Sequence, residues 1–270
     1  VSHPWSEPVP NFVTCLRKHA AVRGLPCSTS YWICAYANNQ HELEQEISDD
    51  PCKTSFYKAM KLCCGVVLIL DVDTTALTRI WCCFEESVAV AERDSQEPML
   101  LDIATARCAE EAVPNHEVEA HVVTDGLAGV EHQMMPLLGL LAKAQREVAF
   151  PIEVLQKGLT ISIAEAAATR AEDKTHILAS IRLQYEQRHG LVRRQQANHP
   201  AYEAVNQALA SHFALASWFG SVTHGRNPTP LLRALAADRT RSMVELSLTG
   251  CKSFGDADLR VLLRNLPEEL

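Results

Sequence analysis

The sequence predicts an α/β protein whose first 187 or so residues fold around a parallel sheet, and three observations predict it. The run Gly65-Val66-Val67-Leu68-Ile69-Leu70-Asp71 is apolar and β-branched and is bounded by Gly and Asp, as a buried strand is. Strand-like runs alternate with helical periodicity up to about residue 187, the pattern of βαβ units wound into one sheet. Past Gly190 the strand signal fades, so residues 188–240 are expected to be a helical connector and 241–270 a separate short unit.

Each element has its own warrant. Val1-Ser2-His3 is too short to read as a strand alone, and Pro4 to Pro10 is a loop. A helix follows with Asn11 as its cap, Phe12, Cys15, Leu16, His19 and Val22 on one face, and Gly24 as its stop. Ser30 to Ala35 reads as a buried strand, and Asn38-Asn39-Gln40-His41 leads from it into an acidic stretch, Glu42 to Asp50. Phe56 to Cys63 is helical and runs into the strand at 65–70. Trp81 to Ala91 has helical spacing, Pro98 to Ile103 is a fourth short strand, and a helical region extends from about Gly126 to Val148. Leu159 to Ile163 is a fifth strand candidate, and Asp173 to Tyr185 is a helix with Ile177, Leu178, Ile181 and Tyr185 in phase. Tyr202, Val205, Leu209, Phe213, Ala216 and Phe219 mark one long amphipathic helix, which Gly225 to Pro230 breaks.

Composition narrows the function. The net charge of −8, with 33 acidic against 25 basic residues, disfavours a nucleic-acid surface. Arg193-Arg194 and the Arg233, Arg239 and Arg241 group read as solvated helix ends. No run approaches the ~18 apolar residues of a membrane span, and no charged-then-apolar leader opens the chain. The ten cysteines include no Cys-x-x-Cys and no Cys/His set at zinc spacing. Cys63-Cys64 and Cys82-Cys83 lie in apolar segments, where a thiol acts as a small hydrophobe, so buried thiols in a reducing cytoplasm are expected and no metal site is. Neither Gly-x-x-x-x-Gly-Lys nor Gly-x-Gly-x-x-Gly occurs, which disfavours a nucleoside triphosphatase. Ser2 and His3 lack the third, orienting group that a serine hydrolase needs. The chain opens on Val and stops inside a patterned segment, as a fragment of a longer protein would.

The most informative motif is Thr78-Arg79-Ile80-Trp81-Cys82-Cys83-Phe84-Glu85-Glu86, which follows the strand at 65–70 after a short loop. Strand, loop, then Trp-Cys-x-x-Glu entering a helix resembles the Toll/interleukin receptor (TIR) family, over about residues 1–187. The resemblance implies a flavodoxin-like parallel sheet with strand order 2-1-3-4-5, whose ligands sit beyond the carboxyl ends of the strands where that order reverses. It gathers Ser2, His3 and Trp5, the loop Asn38 to His41, and Asp71 with Asp73 on one edge, with Arg79, Trp81 and Glu85 bordering the same cleft. Trp81 and Glu85 are four apart and share a helix face.

The chain departs from the common pattern. The loop after Ala35 is long, acidic and Gly-free rather than Asp-x-x-Pro-Gly, and Trp32 and Tyr36 stand where simpler aliphatics are usual. Asp173-Lys174-x-His176-Ile177-Leu178 has no counterpart in the well-known members, and the whole is closer to divergent TIR-like proteins of algae and other protists.

In the family that Glu can be the catalytic carboxylate of an NAD-cleaving site. Breaking the nicotinamide–ribose bond passes through an oxocarbenium-like transition state, as in glycoside hydrolysis. The resemblance assigns Glu85 to the positive charge developing on the ribose, Trp5 or Trp81 to stacking, and Asn38 or Asn39 to hydrogen bonding. A pair of acids near a helix start, Glu85 and Glu86, also suits the helix dipole without any substrate. Asp71 and Asp73 suit turn caps.

At the far end, Leu246-Ser247-Leu248-Thr249-Gly250-Cys251 and a helix at Asp256 to Leu266 resemble the first leucine-rich repeat of the ribonuclease-inhibitor kind. One repeat cannot bury its own face. The expected function is therefore intracellular signalling, with TIR-like self-association and protein partners held by the repeats. NAD glycohydrolysis through Glu85 is the alternative, with NAD as substrate and no cofactor required. A flavodoxin-like domain of unrelated role is the third reading.

Overall fold

Strand β1, Gly65–Ile69, forms where the sequence is most apolar, and everything else is placed around it. The computed structural model describes residues 1–38, 50–91, 99–108, 118–190 and 199–238, together with Arg260. β1 pairs in parallel with β2, Leu100–Cys108, in the register Gly65↔Leu100 to Ile69↔Ala104. Gly65 is required there: a Cβ would lie 2.8 Å from the Leu100 carbonyl oxygen. β3, Val118–Val123, pairs antiparallel with β2, from Ile103↔Val123 to Cys108↔Val118.

The sheet is thus mixed and three-stranded among the described residues, where five parallel strands were expected. Two causes are visible. The segment 118–123 alternates apolar with polar residues and has a buried Ala120 and Val122, as an edge strand with one wet face does. The other cause lies at the opposite edge. Ser2 bridges Leu68 in parallel, with Ser2 N donating to Val67 O at 2.9 Å and Ile69 N to Ser2 O at 2.8 Å. Pro4 has no N–H to extend that pairing, so it stays a single bridge.

Residues 30–35, expected as a strand, form no ladder. Val1 N donates to Trp32 O at 2.8 Å, and helix α2, Cys34–Ala37, begins immediately after. The side chains of 31–33 nonetheless alternate as a strand's would, with Trp32 packed on one core cluster and Tyr31 and Ile33 on another.

The helices account for most of the rest. α1 is Val9–Arg23; it starts at Pro8 rather than at the expected cap Asn11, because Pro10 fits the first helical turn. Gly24 stops it in the left-handed region at φ 66°, as read from the sequence. α3, Ser55–Met60, ends before Cys63 and Cys64, which are exposed rather than buried. α4 is Ile80–Ala91. The expected helical region 126–148 is a 3-10 turn, Gly129–Gln133, followed by α5, Pro136–Val148, because Pro136 needs an extended Met135 before it. After α6, Ile152–Lys157, the expected strand 159–163 is a 3-10 turn, Gly158–Thr160, and an irregular run. Ile161 and Ile163 are buried two apart, yet Ile163 N donates to the Asn206 side chain at 3.0 Å instead of to a neighbouring strand. α7 is Ala171–His189, α8 Pro200–Thr223 and α9 Thr229–Ala237.

The alternation of β1 divides the core. Val66 and Leu68 face a large cluster holding Phe84 of α4, Ile177 of α7, and Leu209 and Phe213 of α8. Val67 and Ile69 face a smaller one with Phe12 and Cys15 of α1. α8 therefore packs in the same core as the sheet, while its other end closes on α9 through Trp218, Leu231 and Leu232. The proposed repeat at 241–270 lies outside the described residues, Arg260 excepted. No described helix is long and apolar enough to cross a membrane.

One polar node ties the layers together. Asp102 on β2, almost fully buried, accepts from Arg23 Nε at 2.7 Å, Arg23 Nη2 at 2.5 Å, His19 Nε2 at 2.8 Å and Asp125 N at 2.8 Å. Burial pushes its carboxyl up, but these donors outweigh burial and hold it at about 2.

Candidate functional site around Glu85

The start of α4 is built by short-range bonds. Asp71 Oδ1 accepts from Thr75 N at 2.7 Å, which makes Asp71 a turn cap. Ile80 N donates to Ala167 O at 2.9 Å, so the helix begins against the α6–α7 connection. Trp81 then turns into the structure. Its Nε1 donates to Asp173 Oδ2 at 3.1 Å, and its ring meets Phe56 edge-on at 5.0 Å. The bond and the ring contact hold it as a wall against α7 and α3.

Glu85 lies one turn further along. The residue is half-buried, and burial of its carboxyl raises it above the ordinary carboxylate range. Ser2 lies beside it, and its hydroxyl works against the rise that burial causes. Cys34 lies beside it too, its thiol raised by burial and by the Glu85 charge. Asn38 Nδ2 donates to Cys34 Sγ at 3.3 Å, and Ser55 Oγ donates to Asn38 Oδ1 at 2.8 Å. The arrangement offers one carboxylate, one thiol, one amide and two hydroxyls, supplied by the N-terminal segment, α2, α3 and α4.

His3 is set by a second group of contacts. His3 Nδ1 donates to Pro4 O at 3.1 Å, its ring packs on Phe12 at 4.7 Å, and its Nε2 is buried without a partner. Burial lowers the imidazole, and the charge of Arg79 adds to that. Cys82 Sγ, on α4, donates to the His3 carbonyl at 3.8 Å and links this group to the helix that carries Glu85.

Of the residues expected at the site, Asn38 bonds Cys34, whose thiol feels the Glu85 charge, and His3 feels the charge of Arg79. Trp5 is 58% exposed, and its ring enters no ring–ring contact among the described residues. Asp71 is occupied as a cap, Asp73 is exposed, and Trp81 is committed to Asp173. Asn39, Gln40 and His41 lie outside the described residues. The reading of the sequence missed Cys34 and Ser55, which had no motif to mark them. Glu86, read from the sequence as an acid that suits the helix dipole, is instead fully buried: neither of its oxygens finds a hydrogen bond among the described residues, and burial raises its carboxyl strongly. Among the described residues no three His, Cys, Asp or Glu side chains gather to hold a metal.

Two clefts lie elsewhere. One, of about 360 Å³, opens between α4, α7 and α8 around Tyr185, Arg188 and Glu203. The other, of about 250 Å³, lies between the end of β3, α5 and α8. Comparison with family models, with curated proteins and with solved structures finds no match to this chain.

Proposed function

We propose that this chain is a signalling protein that works by assembly, a TIR-like domain that associates with itself and recruits protein partners, followed by leucine-rich repeats that bind a partner. The reading places it in the cytoplasm, away from membranes and nucleic acid. Its main support is an apolar strip leading from the 3-10 turn into α5. Val130 is 64% exposed, Met135 70%, Leu138 52% and Leu141 49%. Exposed apolar side chains contiguous on one face mark an interaction surface more often than chance. Leu138 and Leu141 are one turn apart and so lie side by side. Sedimentation of the purified chain tests this: concentration-dependent association is expected, and Leu138→Glu with Leu141→Glu should return it to monomer. A chain that stays monomeric to high concentration, or an assembly that the double variant leaves intact, overturns the reading.

A second reading, NAD glycohydrolysis at Glu85, is favoured by the buried His3 Nε2, which has no hydrogen-bond partner among the described residues. Buried polar atoms without partners are uncommon and point to an absent water or ligand. Glu85 would face the ribose as its positive charge develops; such electrostatic stabilisation is worth about 3–4 kcal/mol per group in known enzymes. Trp81, Asn38 and Arg79 would line the approach, with Trp5 and Asp71 at its edge. Free nicotinamide is followed with NAD and a crowding agent that promotes assembly. Release that disappears in Glu85→Ala supports this second reading, and absence of release in both forms rejects it.

A further inference from the structure

The cleft between the end of β3, α5 and α8 has features that the site at Glu85 does not use. Its charged end is the pair Lys143 and Glu147, one helical turn apart on α5, with Lys143 Nζ donating to Glu147 Oε1. Glu147 is 2% exposed and its second oxygen, Oε2, has no hydrogen-bond partner among the described residues. Lys143 carries three donor hydrogens, and the hydrogen bond to Glu147 uses one. Asp125 also lines the cleft. The remaining wall is mostly apolar, with Leu140, Leu215 and Phe219 in it, and His212 and Thr124 also line the cleft. The site therefore has an ammonium with unused donors, a buried carboxylate oxygen that needs a donor, and an apolar slot, side by side.

We propose that this cleft binds a free amino acid with an apolar side chain, its carboxylate on Lys143, its ammonium between Glu147 Oε2 and Asp125, and its side chain against Leu140, Leu215 and Phe219. Charge complementarity selects a zwitterion over either half of it. A simple amine answers Glu147 but repels Lys143. A simple carboxylate answers Lys143 but brings a third negative charge to Glu147 and Asp125. The dipole of a zwitterion lies antiparallel to the Lys143–Glu147 pair and meets both demands. The volume sets the size: about 250 Å³ is below the ~300–1,000 Å³ of pockets for drug-sized ligands. The orphaned oxygen supplies the driving force, because a buried acceptor without a donor carries a desolvation cost that a ligand ammonium recovers. The inference is independent of both readings above, since neither the residues at Glu85 nor Val130, Met135, Leu138 and Leu141 line this cleft.

Calorimetric titration of the purified 270-residue chain tests it, with L-leucine as the probe. Isoamylamine, which lacks the carboxylate, and N-acetyl-L-leucine, which lacks the ammonium, are the comparison ligands. Saturable binding of L-leucine is expected, at least about tenfold tighter than either. Glu147→Gln and Lys143→Met should each weaken it by about tenfold or more. Both side chains are enclosed, so Leu140→Arg is included as a variant on an exposed wall that leaves the fold intact; it should abolish binding by filling the slot. No saturable heat with L-leucine, an amine that binds as tightly as the amino acid, or binding that survives Leu140→Arg overturns the proposal.

Discussion

Replacing Asp102 with Asn should be among the most damaging single changes in this chain. The carboxylate takes four hydrogen bonds, three of them from Arg23 and His19, and is 3% exposed. Asn keeps the shape but turns one oxygen into a donor that faces donors, and it leaves the Arg23 guanidinium without its counter-ion. Breaking a buried pair by removing one partner costs about 3–5 kcal/mol. The carboxyl gives an independent lower bound. It titrates at about 2 against an ordinary 3.8. That difference corresponds to about 2 kcal/mol of stability at neutral pH. Because the folded value lies below the unfolded one, this part is present above about pH 4 and fades as the pH falls towards 2. Urea unfolding of the two proteins, followed by circular dichroism at pH 7, 4 and 2.5, measures both. The variant should lose about 3 kcal/mol or more at pH 7, and the gap should narrow at the lowest pH. A loss below about 1 kcal/mol, or a gap that stays constant with pH, would refute the account of this node.

Two further outcomes follow from packing. A Cβ added at Gly158 would lie 2.3 Å from the Phe213 ring, which is fully buried and has no space to retreat into. Gly158→Ala should therefore cost about 1–3 kcal/mol, seen as a lower thermal midpoint. Brief alkylation of the native protein with a maleimide, read by peptide mass spectrometry, should label the exposed Cys27, Cys63 and Cys64. It should spare Cys15, whose thiol burial pushes up to about 12, and the buried Cys82 and Cys83.

What the sequence makes legible is what local periodicity records. β1, α4, α7, α8 and the Gly24 stop were readable because each is a continuous run with one burial pattern. β3 was not, since Val118-Glu119-Ala120-His121 alternates too weakly to stand out from a polar connection. Leu159 to Ile163 has the alternation of a strand, but the hydrogen bond from Ile163 goes to the Asn206 side chain, 43 residues away. Asp102 looked like an ordinary strand residue because Arg23 and His19 lie 79 and 83 residues upstream. The site divides in the same way. Glu85 was located from a motif, whereas its neighbours Ser2 and Cys34 are set by a single bridge and a four-residue helix, too small for any pattern. The bond between Trp81 and Asp173 spans 92 residues and turns an expected stacking surface into a fastening.

The adjacent acids of α4 have opposite fates, and the difference bears on any chemistry at Glu85. Successive helical residues point about 100° apart, so Glu85 turns to Ser2 and Cys34 while Glu86 turns into the core. Two ionised carboxylates this close repel each other, and only one has solvent and polar neighbours to support a charge. Burial, then the Glu85 charge, keeps the Glu86 carboxyl protonated well above the ordinary range. Of the two carboxyls, Glu85 is therefore the one that ionises first as the pH rises. Glu86→Gln removes an acid that is already neutral, so it should leave the Glu85 midpoint, followed by carboxyl carbon NMR, within about half a pH unit. Since the folded value of Glu86 lies above the unfolded one, the wild type loses stability as the pH rises past about 4.5, and the variant should lose less. A Glu85 midpoint that drops by about a unit or more in Glu86→Gln would mean that Glu86 is ionised in the folded protein.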